Sequence, residues 1–102
     1  MQRVGRRSRL KAGGEEEYAR LHRDIWPEMM NVIAQAGIRN YSIYLDGRDL
    51  FSYFEAEDLE QAYAFLEQQP VAQKWQEAMS GLMDADDPLA PWRELQEIFY
   101  LG

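Results

Sequence analysis

The chain contains no cysteine and only one histidine among its 102 residues. The absence of cysteine excludes disulfide bonds within the chain and every reaction that needs a protein thiolate. One histidine among scattered carboxylates lacks the ligand spacing of zinc sites, so we expect no metal. Gly13-Gly14 marks a turn rather than a glycine-rich phosphate-binding motif. Proton transfer is the chemistry that remains open to the histidine.

Long hydrophobic segments are also missing. No apolar run approaches the roughly 18 residues that a membrane-spanning helix needs, and no apolar core of a signal peptide is present. We therefore expect a cytoplasmic protein that does not bind membranes. The net charge is −7, but residues 1–11 carry five basic groups and no acid, whereas the remainder carries six basic and 18 acidic groups. The strong negative charge of the residues after position 11 argues against nucleic-acid binding.

The length predicts a single domain over residues 1–102, with a hydrophobic content of 46% that is ample for a core. Alternating residues predict a first strand over 3–11 and a last strand over 94–101. Between them, Asp46-Gly47 separates two β-rich runs, a strong hairpin signal. Helical periodicity flanks the hairpin, and proline interrupts it at Pro27 and at Pro70. Pro27 either kinks the first helix at Trp26 or begins a new helix.

The resulting order, β-α-β-β-α-β, is that of the ferredoxin-like fold of the α+β class. It gives a four-stranded antiparallel sheet with helices on one face. A chain of this size buries a limited share of its surface. We therefore expect the uncovered sheet face to pair with a second copy, giving a homodimer, a dimeric α/β barrel. The segment between the second helical region and the last strand, 84–91, is predicted to be a loop with two prolines.

The histidine lies between two aromatic residues at helical spacing. Tyr18, His22 and Trp26 are each four residues apart and share one helix face. An imidazole both accepts and donates protons near neutral pH, but on spacing alone packing is the commoner role for such a histidine. The disruption of the helix at Trp26-Pro27 favours a site. Tyr41 and Trp75, on other elements, are candidates to complete an aromatic wall of the kind that sugars stack on.

Several segments together resemble the L-rhamnose mutarotase family. They are EEYARLHRDIWPEM, NYSIYLD, the step Gln73-Lys74-Trp75 and the ending ELQEIFYLG, and they span residues 16–102. The resemblance implies a cytoplasmic homodimer of ferredoxin-like subunits that interconverts the α and β anomers of L-rhamnose without a cofactor. It also implies that His22 is catalytic with Tyr18 as its partner, and that Tyr41 and Trp75 line the sugar pocket. Trp26 matches the tryptophan of the Trp-Pro step, with a mainly structural role beside the substrate-binding residues.

The chemistry of mutarotation agrees with these residues. A base removes the proton of the anomeric hydroxyl while an acid protonates the ring oxygen, and closure on the other face gives the other anomer. His22 is the expected principal acid/base and Tyr18 its partner, while the group that serves the ring oxygen stays open.

The chain departs from the family pattern at three positions. Arg6 and Ser8 replace large apolar residues of the first strand, and Gln76 stands where a second tryptophan is frequent. The sugar is therefore open: L-rhamnose, another 6-deoxy sugar such as L-fucose, or an acidic sugar attracted by Arg6. A ligand-binding module without turnover and a cofactor-independent monooxygenase remain alternatives, since the fold alone does not choose between them. The polar aromatic set favours a sugar over the apolar substrate of a monooxygenase.

Overall fold

A computed structural model of the chain describes residues 1–86 and 92–102. Its four strands form one antiparallel sheet in the order β2-β3-β1-β4, which confirms the ferredoxin-like plan. Each of the two predicted helical regions consists of two helices. The elements are β1 (Gln2–Arg9), α1 (Glu15–Arg23), α2 (Pro27–Gln35), β2 (Arg39–Asp46), β3 (Asp49–Ala56), α3 (Leu59–Glu67), α4 (Pro70–Ser80) and β4 (Arg93–Leu95). Of the predicted loop 84–91, residues 87–91 lie outside the described residues.

Proline divides both helical regions. Pro27 is the first residue of α2 and Pro70 is the first residue of α4. At this position the missing N–H has no partner to lose, and the fixed φ already suits a helix. Trp26 has φ −59° and ψ 130°, an extended conformation between α1 and α2. Of the two predicted alternatives, the helix therefore restarts at Pro27 rather than kinking.

Local residue types set the turns and the helix ends. Gly47, with φ 62°, occupies the left-handed region in the two-residue turn between β2 and β3, which confirms the hairpin. Gly37, with φ 84°, follows the end of α2. Asp58 caps α3, since its Oδ1 accepts a hydrogen bond of 3.1 Å from the backbone N–H of Gln61.

The two faces of β1 have different surroundings. Residues with even numbers in β1 and β3 face the helices, where Val4, Leu50 and Phe54 are buried in the core. The register pairs Arg6 with Ser52 and therefore places Arg6 on this same face. Residues with odd numbers occupy the opposite face, which we call the open face of the sheet; they include Arg3, Arg7, Arg9 and Phe51.

The last strand is shorter than predicted. Within the described residues 92–102, the segment 93–95 pairs with β1, so the predicted strand over 94–101 is wrong beyond Leu95. The following segment is held by a side chain instead of a backbone ladder, because Arg3 binds both carboxylate oxygens of Glu97 and stacks 3.4 Å from the ring centre of Tyr100. Alternating polar and apolar residues form a strand only where a neighbouring strand is available for hydrogen bonding. Ile98 and Leu101 are exposed by 90% and 82%, and within residues 1–86 and 92–102 neither belongs to a strand.

None of the helices in residues 1–86 and 92–102 is long and apolar enough to cross a membrane. The longest, α4, has 11 residues.

Candidate active site

Helix α1 brings Tyr18 and His22 together. Their ring centres lie 4.2 Å apart, and Tyr18 is 4% exposed whereas His22 is half-buried. Trp75 of α4 meets His22 edge-on at 5.2 Å, and Trp26 meets Trp75 edge-on at 5.0 Å. Four of the residues predicted from the sequence therefore form one continuous aromatic cluster around the imidazole.

A backbone contact fixes the tautomer of His22. Its Nδ1 lies 2.8 Å from the carbonyl oxygen of Tyr18, one turn earlier in α1. Because a carbonyl oxygen only accepts hydrogen bonds, Nδ1 is the nitrogen that carries the hydrogen in the neutral ring. The lone pair of the neutral imidazole is then on Nε2, which is the nitrogen able to accept a proton from a substrate.

Burial also holds His22 in its neutral form. Removal of water around the ring lowers the pKa of His22 below its ordinary value of 6.5, and the hydrogen bond to Tyr18 offsets only part of this effect. At neutral pH the imidazole is therefore a free base. Tautomer and charge state together make Nε2 a proton acceptor.

Tyr18 has the opposite tendency. Burial raises the pKa of Tyr18 above its ordinary value, the neighbouring Tyr41 adds to this effect, and the Arg6 guanidinium opposes it. The hydroxyl therefore keeps its proton at neutral pH. The site consequently pairs an imidazole that accepts a proton with a phenol that holds one to donate.

An irregularity in β2 places Tyr41 at the site. Arg39 pairs with Glu55 and Ser42 with Tyr53, so Asn40 and Tyr41 both lie opposite the single residue between these partners on β3. This is a β-bulge, a feature that re-aims a side chain. Asn40 adopts φ 52°, which asparagine tolerates better than most residues.

The bulge turns the Tyr41 ring onto the core. The ring centres of Tyr41 and Phe54 lie 5.2 Å apart, on the side of the sheet that faces the helices. The Tyr41 hydroxyl is desolvated, which raises its pKa, while Arg6 opposes this shift through its charge and a hydrogen bond.

Arg6 completes the sheet side of the site. Its Nη2 donates to the Tyr41 hydroxyl at 3.4 Å and its Nε to Ser52 Oγ at 3.3 Å. Its guanidinium carbon lies 4.5 Å from the ring centre of Trp92 and 4.9 Å from that of Phe54. Trp92 and Ser52 were not predicted as site residues. The only sequence feature that could have pointed to Trp92 is that it is the third tryptophan of the chain and directly precedes the last strand.

Two of the three departures from the family pattern lie away from this cluster. Ser8 is fully buried, and its hydroxyl donates to the sulfur of Met83 at 3.5 Å, so it belongs to the core rather than to the site. Gln76 is exposed on α4. Of the three departures, Arg6 is the residue that contacts a predicted site residue, Tyr41.

Among the described residues, no set of metal ligands accompanies the cluster, and the cavity beside Trp26 is lined by other residues. Within residues 1–86 and 92–102, no group of three or more His, Cys, Asp or Glu side chains is placed to hold a metal ion. A cavity of about 340 Å³ lies beside Trp26, and its other lining residues are Pro27, Glu28, Pro70, Val71 and Lys74. It contains neither His22 nor Tyr18, and the proton-transfer groups lie outside it.

Comparison with known proteins identifies the family. Residues 3–101 match the family described as L-rhamnose mutarotase. The chain belongs to the L-rhamnose mutarotase family. An L-rhamnose mutarotase of Listeria monocytogenes is 36% identical over the whole of both chains. The L-rhamnose mutarotases of Bacillus subtilis and Shigella flexneri are 41% and 42% identical, each over 84% of this chain and 85% of the relative.

Solved structures confirm the fold of the family. The crystal structure of L-rhamnose mutarotase from Formosa agariphila superposes with a TM-score of 0.80 at 23% identity, over all of both chains. A NIPSNAP domain protein from Burkholderia xenovorans, also covered completely, gives a TM-score of 0.62 at 16% identity. The second protein shares the chain plan without sharing the name of the family, so the fold is wider than the activity.

Proposed function

We propose that this chain is a mutarotase that interconverts the α and β anomers of L-rhamnose without a cofactor. The observation that carries the proposal is the hydrogen bond from His22 Nδ1 to the Tyr18 carbonyl, which leaves Nε2 as a free base beside a protonated phenol. The names of the relatives give the sugar. The acid/base pair gives the chemistry.

The reaction needs two coupled proton transfers. Nε2 of His22 removes the proton of the anomeric hydroxyl, Tyr18 donates its proton to the ring oxygen, and the bond between C1 and that oxygen breaks to give the open aldehyde. Rotation about C1–C2 exposes the other face of the aldehyde. On closure the phenolate takes back the proton from the C5 hydroxyl as its oxygen attacks C1, and the imidazolium returns a proton to the carbonyl oxygen. Acid/base catalysis of this kind accelerates a reaction by about 10²- to 10⁴-fold.

The surrounding residues hold the sugar and the charges. Tyr41 is 38% exposed and presents its ring and hydroxyl to the site. Trp75 is 9% exposed, so we assign it an edge contact with the sugar and the support of the imidazole, while Trp26 supports Trp75. Arg6 lowers the cost of the transient phenolate, since its charge opposes the raised pKa of Tyr18.

Proton NMR saturation transfer at anomeric equilibrium tests the proposal. L-rhamnose, L-fucose, D-glucose and D-ribose are compared with the wild type and His22→Ala, and circular dichroism verifies that the variant is folded. We expect fast exchange of L-rhamnose that falls to the uncatalysed rate in His22→Ala. Full activity in the folded variant would refute the mechanism. The absence of exchange with any of the four sugars would favour a ligand-binding module instead.

We further propose that the protein is a cytoplasmic homodimer. Ile98, Phe99 and Leu101 are exposed by 79% or more, and Tyr44 on the open face by 66%, which is apolar surface suited to a second copy. Analytical ultracentrifugation should give twice the 12.0 kDa chain mass. Phe99→Asp should shift the mass toward the monomer, whereas Tyr63→Asp, on the helix side, should not. A monomeric wild type would refute the homodimer.

A further inference from the structure

Strand β1 carries four arginines, and three of them form ion pairs with carboxylates. Arg3 pairs with Glu97 at 2.8 Å, while Arg7 and Arg9 lie 3.4 Å and 3.7 Å from Asp49, all on the open face. Arg6 points to the helix side. Glu94 of β4 lies opposite Arg6 in the sheet register, but among the residues that the structure describes no carboxylate is close enough to form an ion pair with Arg6.

The contacts that Arg6 does make are neutral and weak. Its hydrogen bonds to Ser52 and Tyr41 are 3.3 Å and 3.4 Å long, beyond the usual range for an N–H donor to oxygen. A guanidinium has five N–H donors, and these two bonds use two of them. The rings of Phe54 and Trp92 flank the group, which remains partly exposed. The guanidinium is therefore held in place with N–H donors left over, which an anionic ligand can accept.

The position of Arg6 relative to the acid/base pair defines what it contacts. Arg6 donates to the Tyr41 hydroxyl at 3.4 Å, and its charge also opposes the raised pKa of Tyr18, so Arg6 lies on the sheet side of the acid/base pair. A pyranose bound with its anomeric carbon at His22 and Tyr18 and its C6 substituent toward the sheet would present that substituent to Arg6. A carboxylate on the sugar is the group that matches a planar guanidinium, because both oxygens accept parallel hydrogen bonds.

We propose that Arg6 is a specificity-determining residue that binds a carboxylate of the substrate, so that this enzyme acts on a hexuronic acid as well as on a 6-deoxyhexose. This inference rests on the proposed mutarotase function. Arg6 supplies a charge and several N–H donors at this position.

Three sugars with the same configuration from C2 to C5 test the inference: L-rhamnose with a methyl group at C6, L-mannose with a hydroxymethyl group and L-mannuronate with a carboxylate. Anomer exchange gives kcat/KM for each sugar with the wild type, Arg6→Met, Arg6→Lys and the control Arg7→Met.

We expect the wild type to exchange L-mannuronate faster than L-mannose. In Arg6→Met the ratio of L-mannuronate to L-rhamnose should fall by about 10- to 100-fold, the size of a charged hydrogen-bond pair. Arg6→Lys keeps the positive charge but loses the planar group that donates two parallel hydrogen bonds, and should give an intermediate ratio.

The control removes a charge from the same strand on the other face. Arg7 pairs with Asp49 on the open face, so Arg7→Met should leave all three rates unchanged. A second measurement needs no variant: raising the ionic strength should raise KM for L-mannuronate and not for L-rhamnose.

The outcomes separate this inference from the proposed function. If the wild type exchanges L-rhamnose but not L-mannuronate, Arg6 does not bind a carboxylate and the mutarotase function stands. An equal fall for all three sugars in Arg6→Met would also overturn the inference, because it would show a general role in the site. If none of the sugars is exchanged, the proposed function itself fails.

Discussion

His22 Nδ1 and the carbonyl oxygen of Tyr18 are joined across one turn of α1 by a hydrogen bond of 2.8 Å. The residue that supplies the phenol thus also supplies, through its backbone, the group that fixes the imidazole tautomer. Because the acceptor is a backbone carbonyl, substitution of the Tyr18 side chain leaves the tautomer of His22 in place. The two functions of Tyr18 are therefore separable by mutation.

The pH dependence of exchange should be one-sided. His22 must be neutral to act as the base, and its pKa is lowered from 6.5, so kcat/KM should be constant near neutral pH and fall only at lower pH, with a slope of one. The pKa of Tyr18 is raised from 10.0, so no loss is expected as the pH rises toward that value. Exchange rates measured against a blank with the same buffer check this. If kcat/KM already begins to fall above pH 7 as the pH is lowered, the assignment of His22 as the base is contradicted.

Tyr18→Phe should reduce kcat/KM by about 10²- to 10⁴-fold with little change in stability, because it removes the proton donor and keeps the ring. The matched control is Tyr44→Phe, since Tyr44 is 66% exposed on the open face. Exchange kinetics and urea unfolding of both variants provide the comparison. Equal activities in the two variants would remove Tyr18 from the mechanism.

Trp75→Ala should lower the free energy of unfolding by about 3–5 kcal/mol, since Trp75 is buried against the core as well as against His22. It should also return the pKa of His22 toward 6.5, because the variant admits water to the ring. Urea unfolding and an NMR titration of the His22 ring measure the two effects. Trp75→Phe, which keeps part of the packing, should show smaller changes in both. An unchanged pKa in Trp75→Ala would show that other residues bury the ring.

The bulge in β2 should be sensitive to the residue at position 40. Asn40→Val should lower the free energy of unfolding by about 1–2 kcal/mol, because a β-branched residue is strained at φ 52°. It should also lower kcat/KM through a displaced Tyr41. Asn40→Gly relieves the strain and loses only the exposed hydrogen bond to Glu55, so it is the control. Equal stability of the two variants would contradict the left-handed conformation.

Local patterns predicted the elements of this fold well. Asp46-Gly47 and the prolines at 27 and 70 each have a specific backbone consequence, and each appears where expected. The helical spacing also predicted that Tyr18, His22 and Trp26 would share one helix face. This is confirmed for the stacking of Tyr18 and His22 but wrong for Trp26, because α1 ends at Arg23 and Trp26 has an extended backbone and packs against Trp75. These features depend on neighbours within a few residues, which is the range that a sequence pattern reports.

The features that the sequence did not predict depend on contacts between distant segments. The length of the last strand was wrong because pairing beyond Leu95 requires a partner that alternation does not reveal. The bulge before Ser42 and the approach of Trp92 to Arg6 likewise follow from strand register. That Arg6 faces the site became clear only from its pairing with Ser52 across the sheet.

The early end of α1 has a consequence for the charged intermediate. Because α2 restarts at Pro27, His22 occupies the last turn of α1, which ends at Arg23. The aligned peptide dipoles give that end a partial negative charge, which favours a cation by about 0.3–1 kcal/mol at exposed sites and by up to about 2 kcal/mol when partly buried. Burial keeps the resting imidazole neutral, and the helix end stabilises the imidazolium that each turnover creates. The Trp-Pro break thus gives the base a favourable electrostatic position at the moment when it carries the proton.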